Sequence, residues 1–285
     1  MLSRFAYGKI NFSLDVLGLR SDGYHEIATV MQSISLADRL DLQKAAPGQI
    51  KLKTDCSGLP VDQDNLVMKA AVLLQEKYRP PWGAEIFLHK RIPLAAGLAG
   101  GSADAAAALR SLNELWELEL GEEELRQLGR LLGADVPFCL LGGLALARGV
   151  GEKLTPLPNP PDLWLVLVKP EGSLSAGRVY RQWDLRGQPS GRHTERVLHA
   201  LRQADGRALA ACLGNDLEAA ACRLLPEIEE IKKELLRRGA WGALMSGSGP
   251  TVFGLTGSRR EAEALAAYFQ GRYPAVFVAR TMTGD

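Results

Sequence analysis

The sequence predicts an α+β protein of two domains, and three observations carry that reading. Stretches of apolar–polar alternation stand beside stretches with apolar residues at helical spacing in both halves of the chain. The segment Thr155-Pro156-Leu157-Pro158-Asn159-Pro160-Pro161 holds four prolines and marks a boundary, dividing the chain into 1–158 and 159–285. Beyond it strands and helices intermix and end in the order β-β-α-β, which calls for antiparallel sheet packed with helices.

In order, Arg4–Val16 alternates as a strand, which places Lys9 and Asn11 on one face. A lysine in a strand is most often a solvated edge residue. Gly18–His25 reads as a hairpin loop with Asp22-Gly23 as its turn, and Tyr24 and His25 follow at its end. An aromatic in that position is as often a packing lid as a platform for a ligand. Ala28–Leu36 and Arg39–Gln43 read as two strands, the second charged and edge-like. After a polar, Gly-rich stretch, Asn65–Tyr78 gives a helix with Leu66, Val67, Ala70, Leu73 and Leu74 on one face. Ala84–His89 is a strand with Ala84, Ile86 and Leu88 on one side.

The stretch that follows organises the chain: Pro93-Leu94-Ala95-Ala96-Gly97-Leu98-Ala99-Gly100-Gly101-Ser102-Ala103, running into an Ala/Leu helix to about Trp116. Glycine frees successive main-chain N–H groups to turn toward one point, and a helix N-terminus adds unpaired donors and a positive dipole end. Ser102 is expected at the N-cap. A tight turn against a small-residue face is the plain alternative; the length of the run, with a cap and a helix behind it, favours phosphate. The run lacks the Gly-Lys-Ser/Thr of a Walker A loop, and Ala99 breaks a Gly-x-Gly-x-x-Gly count from Gly97. A cation and a base must therefore come from elsewhere.

A helix closing near Leu132-Gly133 leads to Asp135, an acid hemmed by Val136, Pro137 and Phe138. Such an Asp is commonly a turn or cap residue; its apolar setting keeps it as a candidate base. Past the proline boundary the sequence predicts a buried strand at Leu163–Val168 and a helix at Ser175–Trp183. A loop at Arg186–His193 and helices at Thr194–Gln203, Gly206–Leu213 and Pro226–Arg238 come next. A strand pair, Ala240–Ser246 and Thr251–Thr256, then encloses a second glycine cluster, Gly247-Ser248-Gly249. Helix Arg259–Gln270 and strand Ala275–Thr281 end the chain.

The totals exclude several classes. A net charge of +1 gives no basic bias toward nucleic acid, and no apolar run is long enough to span a bilayer. The first residues lack the apolar core of a signal peptide, and Cys56, Cys139, Cys212 and Cys222 show no zinc or disulfide spacing. A reducing cytoplasm, no membrane partner, and a monomer or homodimer are the expectation.

Three separated stretches, the Lys9 strand, the Pro93–Ala103 loop and Met245–Phe253, resemble the motifs of the galactokinase, homoserine, mevalonate and phosphomevalonate kinase superfamily. Gly8-Lys9-Ile10-Asn11, Gly23-Tyr24-His25, Asp64-Asn65-Leu66, Gly133-Ala134-Asp135-Val136-Pro137 and Asn215-Asp216-Leu217-Glu218 resemble its branch acting on cytidine diphosphate-linked methylerythritol. The likeness runs over nearly the whole chain in order; Ala99 departs from it where glycine is more usual. The resemblance implies a two-domain small-molecule kinase fold with its site in the cleft between domains. It also implies ATP and Mg²⁺, with transfer of the γ-phosphoryl group to the 2-hydroxyl of the methylerythritol. Asp135 would accept the hydroxyl proton, Lys9 would pair with it and orient the hydroxyl, and the Pro93–Ala103 loop would cradle ATP. The Ser102 hydroxyl would reach Mg²⁺, whose other ligands stay unassigned, and Asn65 would lie near the adenosine. On the acceptor side Asn11 would hydrogen-bond the substrate, Tyr24 and Tyr180 would flank the cytosine, and His25 would meet its edge. Gly247–Gly249 would shape the domain interface close to the diphosphate or serve as a plain hairpin. The rivals are a homoserine or mevalonate type of kinase, in which Tyr24-His25 has no ring to bind, and a non-catalytic regulator, which has no need of Lys9 and Asp135.

Overall fold

The structure, a computed structural model, describes residues 1–158 and 162–284. Part of the proline stretch, Asn159–Pro161 at the expected boundary, lies outside the described residues. Strands β1 (Leu2–Leu19) and β2 (His25–Ala45) are joined by a turn in which Asp22 accepts from the Tyr24 N–H. β2 is one strand where two were expected. Its interrupting acid, Asp38, is buried and satisfied within the fold, accepting from the main-chain N–H groups of Arg91 and Ile92. Nor is Arg39–Gln43 an edge, since Arg39–Ala45 pairs antiparallel with β4.

β3 (Ile50–Thr54), α1 (Leu66–Tyr78), β4 (Gly83–His89), α2 (Gly100–Leu115), α3 (Glu122–Leu132) and α4 (Val136–Leu141) follow. Then come β5 (Leu144–Gly149) and β6 (Lys153–Pro156), a hairpin the sequence reading passed over. The remainder is β7 (Trp164–Lys169), α5 (Ala176–Asp184), α6 (His193–Leu201), α7 (Gly206–Ala211), β8 (Gly214–Asn215) and α8 (Glu218–Leu224). It closes with α9 (Glu227–Arg237), β9 (Gly242–Met245), β10 (Val252–Thr256), α10 (Arg259–Phe269) and β11 (Ala275–Arg280).

Two compact units are interleaved in sequence. One comprises Met1–Gly8, Ala37–Leu94 and Ala99–Leu141; the other comprises Lys9–Leu36, Ala95–Leu98 and the chain from Gly142 onward. In the first, β3, β4, β2 and the start of β1 lie side by side, with β3 parallel to β4. Leu40, Leu42, Ile86 and Leu88 on the sheet are buried in one core with Val67, Ala70 and Leu74 of α1 and Ala103, Ala105–Ala108 and Leu109 of α2. Alanines along α2 bring helix backbones close, and the apolar area removed from water holds the layers together. In the second unit, β11, β7, β10 and β9 form an antiparallel sheet. Its Val166, Val168 and Val252 are buried with Ile231 and Leu235 of α9 and Ala266 and Phe269 of α10. The first half of β2 pairs with β5, and Ser13–Leu14 of β1 pair parallel with β8.

Candidate active site

Within the second unit, the alternation of β1 turns Lys9 and Asn11 inward, where they are 4% and 2% exposed. The edge-residue reading of Lys9 fails here. A buried ammonium requires acceptors. Lys9 Nζ donates to Asn11 Oδ1 at 2.8 Å, and Asn11 Nδ2 donates in turn to Thr29 Oγ1 at 2.8 Å. Lys9 is tied to the glycine run by its main chain, its N–H donating to the Leu98 carbonyl at 3.0 Å.

Residues 95–98 are gripped by the second glycine cluster, the turn between β9 and β10. Ser246 Oγ donates to the Gly97 carbonyl at 2.9 Å, and the Thr251 N–H donates to the Ala96 carbonyl at 3.3 Å. Gly97 has φ +74°, and a Cβ there would fall 2.4 Å from the Ser246 carbonyl oxygen. Only glycine fits so close an approach. Gly247 has φ +55°, and its missing Cβ would stand 3.2 Å from Lys9 Nζ and 3.3 Å from Asn11 Oδ1. The cluster is thus a hairpin turn closed onto the lysine and residues 95–98.

This turn is anchored by the Asn215–Glu218 stretch. Asn215 Nδ2 donates to the carbonyls of Met245 and Gly247 at 3.0 and 2.8 Å, while its Oδ1 accepts from the Leu217 N–H at 2.9 Å. Glu218 accepts from the Met245 N–H at 2.9 Å and pairs with Lys232. Asn215 was legible as a motif but not as a clamp, because its partners lie about thirty residues away.

Within the first unit, α2 begins at Gly100, with Ala99 at its N-cap in the left-handed region (φ 56°) and no side-chain cap. Ser102 is therefore not the cap: it is the third helical residue, and its hydroxyl is 4.0 Å from where a Gly133 Cβ would lie. The uncapped first turn, with no acid in it, leaves its N–H groups and positive dipole end without a local counter-charge. Asn65 is the N-cap of α1, its Oδ1 accepting from the Val67 N–H at 2.9 Å and its Nδ2 donating to the Pro60 carbonyl at 2.8 Å. Leu66 Cδ1, next in sequence, is 3.7 Å from a Cβ built on Gly101, so the start of α1 abuts the glycine loop. Asp135 is half-buried between α3 and α4, where its carbonyl accepts from the Cys139 N–H.

Beneath α2 lies an ionic cluster the sequence did not reveal. Lys90 Nζ donates to Asp104 Oδ2 at 2.7 Å and to Asp38, with all three side chains buried. A Cβ on Gly100 would stand 3.4 Å from that ammonium. Burial pushes the Asp104 carboxyl up to about 7, against the pull of Lys90 and with the push of Asp38. The signal was an acid inside an otherwise apolar alanine run.

In the second unit Tyr24 is 66% exposed at the hairpin end. His25 turns away to stack on Tyr180 of α5 with ring centroids 4.7 Å apart. Among the described residues, Asp15, His193 and Asp216 could share a metal ion, but hydrogen bonds already hold their oxygens. Asp15 accepts from Ser190 Oγ and the N–H groups of His193 and Thr194, and Asp216 accepts from the Val16 N–H. Asp216 beside it raises the affinity of His193 for its proton. These bonds clamp the loop before α6.

Residues 65–143 match the GHMP kinases N terminal domain and residues 197–275 the GHMP kinases C terminal domain. A protein of Moorella thermoacetica named 4-diphosphocytidyl-2-C-methyl-D-erythritol kinase is 52% identical over 97% of this chain and 98% of its own. The chain belongs to the 4-diphosphocytidyl-2-C-methyl-D-erythritol kinase family of the GHMP kinases. A family member from Pelotomaculum thermopropionicum is 48% identical over 99% of this chain and 98% of its own. A solved 4-(cytidine 5'-diphospho)-2C-methyl-D-erythritol kinase is 37% identical, covers 99% of this chain and 100% of its own, and superposes with a TM-score of 0.85. A homoserine kinase from Cytophaga hutchinsonii, 21% identical with a TM-score of 0.73, shares the fold. The N-terminal match takes in Asn65, the whole glycine loop and Asp135; the C-terminal match takes in Asn215 and Gly247–Gly249. No helix among the described residues is long and apolar enough to cross a membrane.

Proposed function

We propose that this kinase transfers the γ-phosphoryl group of ATP to the 2-hydroxyl of 4-diphosphocytidyl-2-C-methyl-D-erythritol, a step of non-mevalonate isoprenoid precursor biosynthesis. The observation that carries the reading is 52% identity over 97% of the chain to a protein bearing that name. Phosphoryl transfer leaves the protein mainly positioning and charge stabilisation to perform. The Pro93–Ala103 loop and the first turn of α2 supply main-chain donors for the ATP phosphates. Asn65 lies at the adenosine. Asp135 takes the proton from the acceptor hydroxyl as its oxygen attacks the γ-phosphorus and the bond to ADP breaks. Lys9, held in place by Asn11, orients that hydroxyl and offsets charge on the group in transfer, and Asn11 hydrogen-bonds the acceptor.

Mg²⁺ fits this chemistry, because it keeps several waters and binds phosphate oxygens with few protein ligands. When bound it neutralises charge on the phosphates, and the Ser102 hydroxyl is the ligand this chain offers beside the loop. Tyr24 and Tyr180 flank the cytosine, and His25 meets its edge. The cytoplasm is the compartment that goes with these substrates.

Stacking of a base on an aromatic contributes ~1–3 kcal/mol, so Tyr24→Ala raises KM for the cytidine substrate ~10–100-fold at modest cost to kcat, as loss of uniform binding does. Steady-state kinetics with the cytidine substrate checks this. An unchanged KM returns the acceptor to a compound without a base.

A further inference from the structure

His25 closes the hairpin between β1 and β2, and one face of α5 grips its ring. The imidazole lies on Tyr180 with planes 20° apart and meets Trp183 edge-on at 5.7 Å. Its Nε2 is 2.7 Å from Asp184 Oδ1. Tyr180, Trp183 and Asp184 are spaced i, i+3 and i+4, so one helix supplies the floor, the wall and the hydrogen-bond partner. A carboxylate only accepts, so this contact requires the hydrogen on Nε2. In a neutral ring that leaves Nδ1 with a bare lone pair, since the bond made by one nitrogen fixes the role of the other. Nδ1 makes no hydrogen bond to the described residues.

We propose that Asp184 is a positioning residue for base specificity: by holding the proton on Nε2 of His25 it makes Nδ1 an acceptor for the exocyclic amino group of an aminopyrimidine. The inference rests on the proposed placement of His25 at the edge of the base. Cytosine presents an amino donor where uracil presents a carbonyl. Against a bare Nδ1 the carbonyl sets two acceptors facing each other and leaves both unpaired. A site whose polar groups the wrong ligand leaves unpaired rejects that ligand far more strongly than an apolar pocket does. Asp184 does not itself touch the base in this arrangement; at 43% side-chain exposure its replacement leaves the cores intact.

The test uses the full-length enzyme with ATP and two acceptors, the cytidine and uridine diphosphate derivatives of methylerythritol. For Asp184→Asn the ratio of kcat/KM for cytidine over uridine falls ~10-fold or more, while kcat on the cytidine substrate changes by less than about threefold. Asp184→Glu, which keeps the carboxylate, restores much of the ratio. The ¹⁵N spectrum of the His25 ring reports the tautomer directly: hydrogen on Nε2 in the unmodified enzyme, and loss of that preference in Asp184→Asn. A ratio unchanged in Asp184→Asn, or a ring carrying hydrogen on Nδ1 in the unmodified enzyme, overturns the role of Asp184 alone. An unmodified enzyme that uses both acceptors equally overturns the base reading, and this inference with it.

Discussion

Lys9 is a buried cation whose ammonium is spent on Asn11 and whose main chain is tied to Leu98. A strand spends such desolvation on a lysine only where a partner or a ligand offsets it. With Asp135 as proton acceptor, Asp135→Asn lowers kcat by ~10²–10⁴ with ATP affinity little changed. Lys9→Met depresses kcat as well, and near-normal turnover in both variants, measured at saturating ATP, removes the pair from the mechanism. A second charged group belongs to stability. Between about pH 4 and 7 the native protein holds a proton on Asp104 that the unfolded chain has released, so this residue's contribution falls as pH rises across that window. Thermal denaturation of Asp104→Asn is expected to show a flatter loss of Tm from pH 5 to 8 (approximate limits) than the unmodified protein; identical slopes would show that Asp104 is already ionised. At this scale the sequence named residues by type and motif but not by partner. Lys9 and Asn11 were legible because two residues apart on a strand means one face. Lys90 and Asp38 were not, since 52 positions separate them.

The glycine loop is legible as an element and misleading in detail. Its function as a strand–helix connection followed from glycines, alanines and the preceding alternation. Its first helical residue did not, because Ala99 adopts a left-handed conformation that sequence assigns to glycine, which shifts the cap ahead of Ser102. β2 was divided because Asp38 looks like a break when its backbone donors, at 91 and 92, are out of view. Glycines within the loop differ in what they do. Gly97→Ala drives a methyl into the Ser246 carbonyl at a positive φ, so both Tm and ATP affinity fall. At Gly101 a Cβ meets only Leu66, at 3.7 Å, in ordinary contact. Gly101→Ala therefore holds or raises Tm by the helix preference of alanine, about 0.5–1 kcal/mol, while the KM for ATP rises if bare main chain there faces phosphate. Calorimetry and ATP titration of both variants separate the two roles. In the second glycine cluster, Asn215→Ala leaves the buried carbonyls of Met245 and Gly247 without their donor, costing about 1–3 kcal/mol in denaturant unfolding and lowering kcat through Gly97 and Lys9.

At the scale of the molecule, helix and sheet content and the run of motifs were legible because each local pattern agrees with its element. The interleaving of the two compact units was not, since β1 and β2 are each long enough to serve both, and strand length beyond a polar interruption has no local signature. Full-length relatives at 52% and 48% identity supply what no single motif carries, the family. One measurement tests this activity most directly: the purified protein with ATP and Mg²⁺, offered 4-diphosphocytidyl-2-C-methyl-D-erythritol, mevalonate and homoserine in parallel, with phosphorylated product and ADP quantified. The expected result is one ADP per phosphorylated cytidine substrate and no product from the other two. Comparable turnover of mevalonate or homoserine, or none of the cytidine compound, would contradict it.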